Sequence, residues 1–249
     1  MEDDDPEKAA AEIYDTNRFS VLYHNSRRPS PQHLGLAARF LISLFRSHSI
    51  FFAFLGGWAV YLRGGARRTE DVDVSVAVSM ERLEAILVQE ERICVPLTYG
   101  TRCIQIFVHT GGDWDDRSSP PLPELAVSVD IIINGNLGIP PDLPSATESI
   151  TPSQPDINLG PDPVVPVIDV FHQFATKLNV HHARRQTEDY VDLEFLAETY
   201  PSGIFAVRNF LNRDHREAFW TDYALRNAAA EEAARVEGMR VLLGLSLSP

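Results

Sequence analysis

Two periods of apolar residues divide the first half of the chain into helices and strands. Helical spacing over 34–45, 58–62 and 80–91 predicts three helices. Short apolar runs or strict alternation predict strands at 50–55, 71–78, 93–99, 103–109 and 127–133. The order helix, strand, helix, strand, helix and three strands is typical of a mixed α/β (α+β) unit with a small sheet and flanking helices.

The pattern changes after this unit. Eight of the 17 prolines lie between Pro140 and Pro166, together with many Ser, Asn and Asp residues. Helical periodicity then returns over 167–183, 187–198, 204–211 and 214–243 and predicts a helical bundle. We therefore expect an N-terminal arm at 1–30, an α/β domain at 31–134, a Pro-rich linker or insertion at 135–165, and a helical domain at 166–249.

Composition narrows the class of protein. The chain has 249 residues, 44% of them hydrophobic, and a net charge of −13, so we expect a globular protein that does not bind long nucleic acids. The acidic start MEDDDPEK is unlike a signal peptide, and the apolar stretch 40–62 is interrupted by polar residues and glycines, so we expect a cytoplasmic protein without a membrane span.

The two cysteines, Cys94 and Cys103, flank a predicted hairpin. We interpret them as buried reduced thiols, although the spacing also permits a bridge.

A glycine pair follows the predicted strand at 50–55. Gly56 and Gly57 come directly before a short helix, and this arrangement lets the backbone approach a phosphate group closely. Taken alone, such a pair is more typical of an ordinary tight connection.

Three aspartates fall on two predicted strands. Asp71 and Asp73 are two residues apart, so both carboxylates lie on one face while the flanking valines face the core. Alone, this pattern also fits the polar outer face of a half-exposed strand. Asp130, however, interrupts the apolar run VSVDIII, where an acid needs a compensating partner. The three carboxylates together predict a site for two Mg²⁺ ions that carries out phosphoryl chemistry.

These features resemble the nucleotidyltransferase superfamily. The similarity rests on the strand before Gly56-Gly57, the segment Arg67-Arg68-Thr69-Glu70-Asp71-Val72-Asp73 and the later strand with Asp130. It extends over about 34–133 and is closest to the minimal and AbiEii-type nucleotidyltransferases, with the antibiotic-modifying enzymes nearby. The resemblance implies that Asp71, Asp73 and Asp130 bind Mg²⁺ (or Mn²⁺) and catalyse the reaction, and that Gly56, Gly57, Arg67 and Thr69 bind the nucleotide.

A second segment, FATKLNVHHARRQTEDYVDLEFL at 174–196, supports the same resemblance. The AbiEii-type group often has a helix with a lysine, an Arg-rich turn and an acidic start to the next helix; here Lys177, Arg184, Arg185, Asp189 and Asp192 follow that order. The resemblance implies that Lys177 contacts the triphosphate and that Asp189 positions Lys177 or the acceptor. Asp189 is equally typical of an acid at a helix start.

The expected function is Mg²⁺-dependent transfer of a nucleoside monophosphate from a nucleoside triphosphate to a hydroxyl of a small molecule, a protein or an RNA, with release of pyrophosphate. Two alternatives stay open. The same fold can serve as a catalytically inactive binding module, or the chain can be an AbiEii toxin-like transferase with a macromolecular target.

Overall fold

A computed structural model describes residues 11–115, 121–157, 159–160 and 164–245. The first ten residues of the predicted arm, part of the polar loop at 111–123 and a few positions of the Pro-rich segment lie outside the described residues. Contacts divide the chain into two compact units. The first comprises 1–64 and 68–167, and the second comprises 65–67 and 168–249.

The first unit contains a mixed eight-stranded sheet with the order β1-β4-β5-β6-β3-β2-β8-β7. The described strands are β1 (Glu12–Tyr14), β2 (Phe52–Phe54), β3 (Asp71–Val76), β4 (Ile93–Pro96), β5 (Cys103–Thr110), β6 (Leu125–Ile133), β7 (Thr147–Ile150) and β8 (Val165–Ile168). The helices in the same part of the chain are α1 (Thr16–Asn25), α2 (Pro31–Ser47), α3 (Gly56–Leu62) and α4 (Met80–Leu87). The predicted mixed α/β fold and the predicted order of its central elements are thus confirmed.

One apolar core lies between the sheet and its helices. Val72, Val74 and Val76 of β3 are fully buried, as are Trp58 of α3 and Phe45 of α2. The serine that precedes α2 caps it: Ser30 accepts a hydrogen bond from the backbone N–H of His33, and Pro31 occupies the first turn. Because side chains alternate along a strand, the burial of the β3 valines in this core places Asp71 and Asp73 on the opposite face of the sheet.

The second unit is helical. It contains α5 (Val170–Arg184), α6 (Thr187–Thr199), α7 (Pro201–Val207), α8 (Arg213–Arg226) and α9 (Ala233–Leu242). The expectation of one helix over 214–243 was wrong, because α8 ends at Arg226. Asn227 turns its side chain back to donate a hydrogen bond to the carbonyl of Tyr223, 2.8 Å away, which ends the helix.

Sequence patterns missed three short strands. β1 and α1 lie within the predicted N-terminal arm, and β7 and β8 lie at or beside the predicted Pro-rich linker. Each of these strands has only three or four residues, which is too short for a hydrophobic period to be recognised.

No helix in the described parts of the chain has both the length and the apolar character needed to cross a bilayer.

The two cysteines are both free thiols, but only Cys94 is buried. The expectation that both are buried was therefore wrong for Cys103, which begins β5 at its exposed end. A bridge does not form because Cys94 is paired across the β4–β5 ladder with Phe107 rather than with Cys103.

This difference predicts unequal thiol reactivity. Burial, together with the nearby charge of Glu12, raises the pKa of Cys94 to about 12, and its side chain is inaccessible. We expect a thiol reagent to label Cys103 alone in the folded protein and both cysteines after unfolding. Cys103→Ser is the control and should abolish labelling of the folded chain. Labelling of both thiols without unfolding would contradict the prediction.

Candidate active site

The three predicted acidic residues meet on neighbouring strands. β3 and β6 are parallel neighbours, and their register places Asp73 opposite Asp130 and Asp71 opposite Ser128. Carboxylate oxygens of Asp71, Asp73 and Asp130 all lie within 4.8 Å of one another. Sequence alone placed the first two acids on one face, and the register now brings the third to the same place.

Burial and a neighbouring negative charge both act on Asp130. Burial, followed by the negative charge of Asp71, raises the pKa of Asp130 to about 6. A set of three carboxylates supplies the oxygen ligands that hard divalent cations prefer, and a cation there would relieve this repulsion. The residues therefore fit Mg²⁺ or Mn²⁺.

The raised pKa of Asp130 predicts how stability depends on pH without metal. The folded state binds the proton more tightly than the unfolded state, whose aspartate titrates near pH 4. The free energy of unfolding should therefore fall as pH rises from about 4 to about 6, by up to ~3 kcal/mol from this group alone. Urea unfolding in EDTA should show this fall in the wild type, whereas Asp130→Asn should lack this component. Parallel profiles for the two proteins would contradict the assignment.

The glycine pair packs against one of these acids. Gly56 has a φ of +63°, and a Cβ atom at this position would overlap the carboxylate of Asp73. The backbone N–H of Gly57 donates a hydrogen bond to Oδ2 of the same carboxylate, at 3.2 Å. Glycine is thus required at position 56 by both backbone conformation and space, and the pair positions Asp73.

Thr69 positions a second acid. Its side chain is buried, and its hydroxyl donates a hydrogen bond to Oδ1 of Asp71 at 2.7 Å. The structure therefore places Thr69 in direct contact with the acidic cluster.

Sequence reasoning missed a polar row beside Asp130. Gln105 of β5 pairs with Asp130 across the sheet, and its side-chain amide donates a hydrogen bond to the hydroxyl of Ser128 at 2.8 Å. The hydroxyl of Tyr14 donates to the carbonyl of Gln105 at 2.6 Å. Ser128 could have been found from its position two residues before Asp130, since residues two apart on a strand share a face.

The remaining predicted residues form a buried ion cluster within the second unit. Lys177 of α5 lies 3.4 Å from Asp189 and 2.7 Å from Asp192, both on α6 and both fully buried. Arg67 forms a two-pronged pair with Asp192, with nitrogen–oxygen distances of 2.8 and 2.7 Å. Arg184 binds Asp189 in the same way at 2.6 and 3.0 Å. The structure thus joins Lys177 and Asp189, as the resemblance implies, and adds Asp192 as the partner of both Lys177 and Arg67.

Two opposing effects set the charge state of Asp189. Burial raises the pKa of its carboxyl, but hydrogen bonds and charge from Arg184 and Lys177 outweigh burial and leave the pKa below its ordinary value. Asp189 therefore stays ionised at neutral pH and balances the buried cations.

Together, the mixed sheet and the carboxylates converging from parallel strands are the architecture of nucleotidyltransferases. A family model described as "Nucleotidyl transferase AbiEii toxin, Type IV TA system" matches residues 39–240. The chain therefore belongs to the AbiEii nucleotidyltransferase family, which confirms the resemblance inferred from its motifs.

Several solved structures are similar to this chain at low sequence identity, and one of them, from Paracoccidioides brasiliensis, shows the same fold. An antigenic nucleotidyltransferase-like protein from Paracoccidioides brasiliensis is 15% identical over 83% of this chain and 93% of its own, with a TM-score of 0.56. JHP933 from Helicobacter pylori is 15% identical over 83% and 92% of the two chains, with a TM-score of 0.48. The antibiotic-resistance factor ANT(2'')-Ia is 14% identical over 89% and 99%, with a TM-score of 0.41. A comparison with curated protein sequences finds no match.

Proposed function

We propose that this protein transfers a nucleoside monophosphate from a nucleoside triphosphate to an acceptor hydroxyl and releases pyrophosphate, in a reaction that depends on Mg²⁺. The observation that carries the proposal is the convergence of Asp71, Asp73 and Asp130, whose carboxylate oxygens lie within 4.8 Å of one another. Membership of the AbiEii family supports nucleotidyl transfer as the general reaction.

Asp71, Asp73 and Asp130 would hold the metal. When bound, Mg²⁺ supplies charge neutralisation for the triphosphate and for the departing pyrophosphate. The protein contributes the placement of these acids, because Thr69 orients Asp71, and the Gly56–Gly57 backbone orients Asp73. Mn²⁺, which also prefers oxygen ligands, is the expected substitute.

Asp130 is suited to accept the proton of the acceptor hydroxyl. Without metal the pKa of Asp130 is raised to about 6, and a bound cation would lower it, so the carboxylate is ionised at neutral pH and can accept a proton. In the proposed step the acceptor oxygen bonds to the α-phosphorus, its proton passes to Asp130, and the bond to the β-phosphate oxygen breaks. The products are the nucleotidylated acceptor and pyrophosphate.

Gly56, Gly57 and Thr69 are proposed to contact the phosphate groups, because they lie beside two of the acids that would hold the metal. A triphosphate whose metal was held by Asp71 and Asp73 would lie close to the polar groups that contact those two side chains. Nucleotide contacts by Arg67, Lys177 and Asp189 stay predictions, since all three already take part in the ion cluster. Lys177→Met tests the predicted contact of Lys177. Nucleotide affinity is measured on the fraction of the variant that is folded, so that a loss of affinity is not confused with a loss of folded protein.

The acceptor is proposed to be a small molecule, a protein or an RNA. The word toxin in the family description favours a macromolecular acceptor, whereas the net charge of −13 disfavours long nucleic acids. We place the activity in the cytoplasm, where nucleoside triphosphates and Mg²⁺ are supplied.

A thermal-shift titration tests the donor site first. ATP, GTP, CTP and UTP are each added with and without Mg²⁺ to the wild type and to Asp71→Asn/Asp73→Asn. We expect a metal-dependent rise in melting temperature with at least one nucleotide, absent in the double variant, because a ligand that binds only the folded state stabilises it. The nucleotide found is then supplied with an α-phosphate label to small-molecule, protein and RNA acceptors. A folded wild type that responds to no nucleotide would contradict the proposal and favour the inactive binding module.

A further inference from the structure

A second group of metal-ligating side chains lies on the outer strands of the sheet. Glu12 is on β1, Cys94 on β4 and His109 on β5. Sγ of Cys94 lies 3.5 Å from Oε2 of Glu12 and 3.3 Å from Nε2 of His109. All three ligand atoms lie within 4.8 Å of one another.

The sheet itself brings these side chains together. Glu12 and Cys94 are directly paired in the parallel β1–β4 ladder. Cys94 is paired with Phe107 in the β4–β5 ladder, so His109, two residues further along β5, is its diagonal neighbour on the same face. The positions of all three residues are therefore determined by backbone hydrogen bonding.

The two separations from Sγ of Cys94 match those of ligands around a tetrahedral metal. Ligand atoms bound to Zn²⁺ at about 2.0–2.3 Å lie roughly 3.3–3.8 Å from one another in tetrahedral geometry. A thiolate, an imidazole and a carboxylate form the mixed ligand set typical of Zn²⁺ rather than of Mg²⁺. We propose that Glu12, Cys94 and His109 bind a Zn²⁺ ion, with a fourth position open to water.

Neighbouring groups orient the proposed ligands. Nδ1 of His109 lies 3.1 Å from Oε1 of Glu124, which is the carboxylate–histidine arrangement found behind zinc ligands. The ring of His109 also stacks on Trp114, with centroids 5.4 Å apart. Arg18 donates to both carboxylate oxygens of Glu12, at 2.5 Å to Oε1 and 3.0 Å to Oε2, and so holds this carboxylate in place.

The site is partly exposed at Glu12 and is separate from the acidic cluster. Cys94 is fully buried, but the side chain of Glu12 is 38% exposed. Register places Asp71, Ser128, Phe107 and Cys94 in one row across β3, β6, β5 and β4. Three strand spacings separate Asp71 from Cys94, a distance of about 14 Å, so one ion cannot serve both clusters. A bound Zn²⁺ would fasten β1 to β4 and β5.

The test uses the full chain and Co²⁺ as a spectroscopic substitute for Zn²⁺. We expect a single Zn²⁺ per chain by mass spectrometry, and a thiolate-to-cobalt charge-transfer band after exchange. Cys94→Ser should lose the band, whereas the matched control Cys103→Ser should keep it. Asp73→Asn should also keep it, which separates this proposal from the nucleotidyl-transfer proposal.

A further variant tests the orientation of His109. Glu124→Gln should keep the band but weaken Zn²⁺ binding by about 10-fold or more. The proposal is overturned if wild type with Co²⁺ shows no charge-transfer band, or if the band survives in Cys94→Ser. Should Cys94→Ser not fold, His109→Gln replaces it, and a folded His109→Gln protein that binds Zn²⁺ as tightly as wild type would overturn the proposal equally.

Discussion

Asp73→Asn is expected to lower the rate of nucleotidyl transfer by roughly 10³-fold, because metal-assisted charge stabilisation is worth several kcal/mol in the transition state. The amide keeps the size of the aspartate and an oxygen that can accept from Gly57. It loses the charge that faces Asp130 across the β3–β6 ladder. The substitution should therefore remove metal affinity while the glycine contact and the fold are retained.

Pyrophosphate release, measured with the donor identified by the thermal-shift titration, checks this result. Glu70→Gln is the matched control, since it removes the same charge from an exposed residue three positions earlier. Its activity should be close to wild type. Asp73→Asn activity equal to that of Glu70→Gln, in a folded protein, would refute the role assigned to the acidic cluster.

Asp192→Asn is expected to destabilise the helical unit by about 3–5 kcal/mol, the usual cost of removing one partner of a buried ion pair. The fully buried carboxylate of Asp192 accepts from both Arg67 and Lys177. An amide offers only one accepting oxygen and brings an N–H group towards two cations. Lys177 would retain only Asp189 among its described acidic partners, at 3.4 Å.

Hydrogen exchange of the α5 and α6 amides measures this loss where it occurs, which matters because a chain with two compact units need not unfold in one step. Glu217→Gln provides the comparison in the same unit. Its carboxylate pairs with Arg213 at 2.7 Å, but the two side chains are 46% and 76% exposed, so the cost should stay below ~1 kcal/mol. Equal protection in the two variants would show that the buried cluster contributes little.

Local patterns predicted what depends on neighbouring residues in the chain. Alternation in DVDVSV gave the strand, its buried valines and its acidic face, all of which the structure confirms. An isolated acid within VSVDIII pointed to a special environment, and Asp130 indeed has a raised pKa. These features follow from periods of two and from the cost of burying charge.

Long-range geometry could not be predicted in the same way. The pairing of Asp73 with Asp130 joins strands more than 50 residues apart, and alternation does not report register. The Gly56–Gly57 pair fits either a phosphate-binding turn or an ordinary tight connection by sequence, and only the structure shows that Asp73 fills the space beside Gly56. The bond between Arg67 and Asp192 likewise depends on tertiary packing across 125 positions of sequence.

The three-residue strand β1 also affects how the protein can be handled. It covers the outer side of β4, whose backbone groups would otherwise be free to pair with another chain. Tyr14 anchors this cover through its hydrogen bond to Gln105 and its edge contact with Phe107. Shortening the chain past Tyr14 to improve expression would make the apolar strand Ile93–Pro96 the edge of the sheet. An exposed apolar edge strand is prone to aggregation.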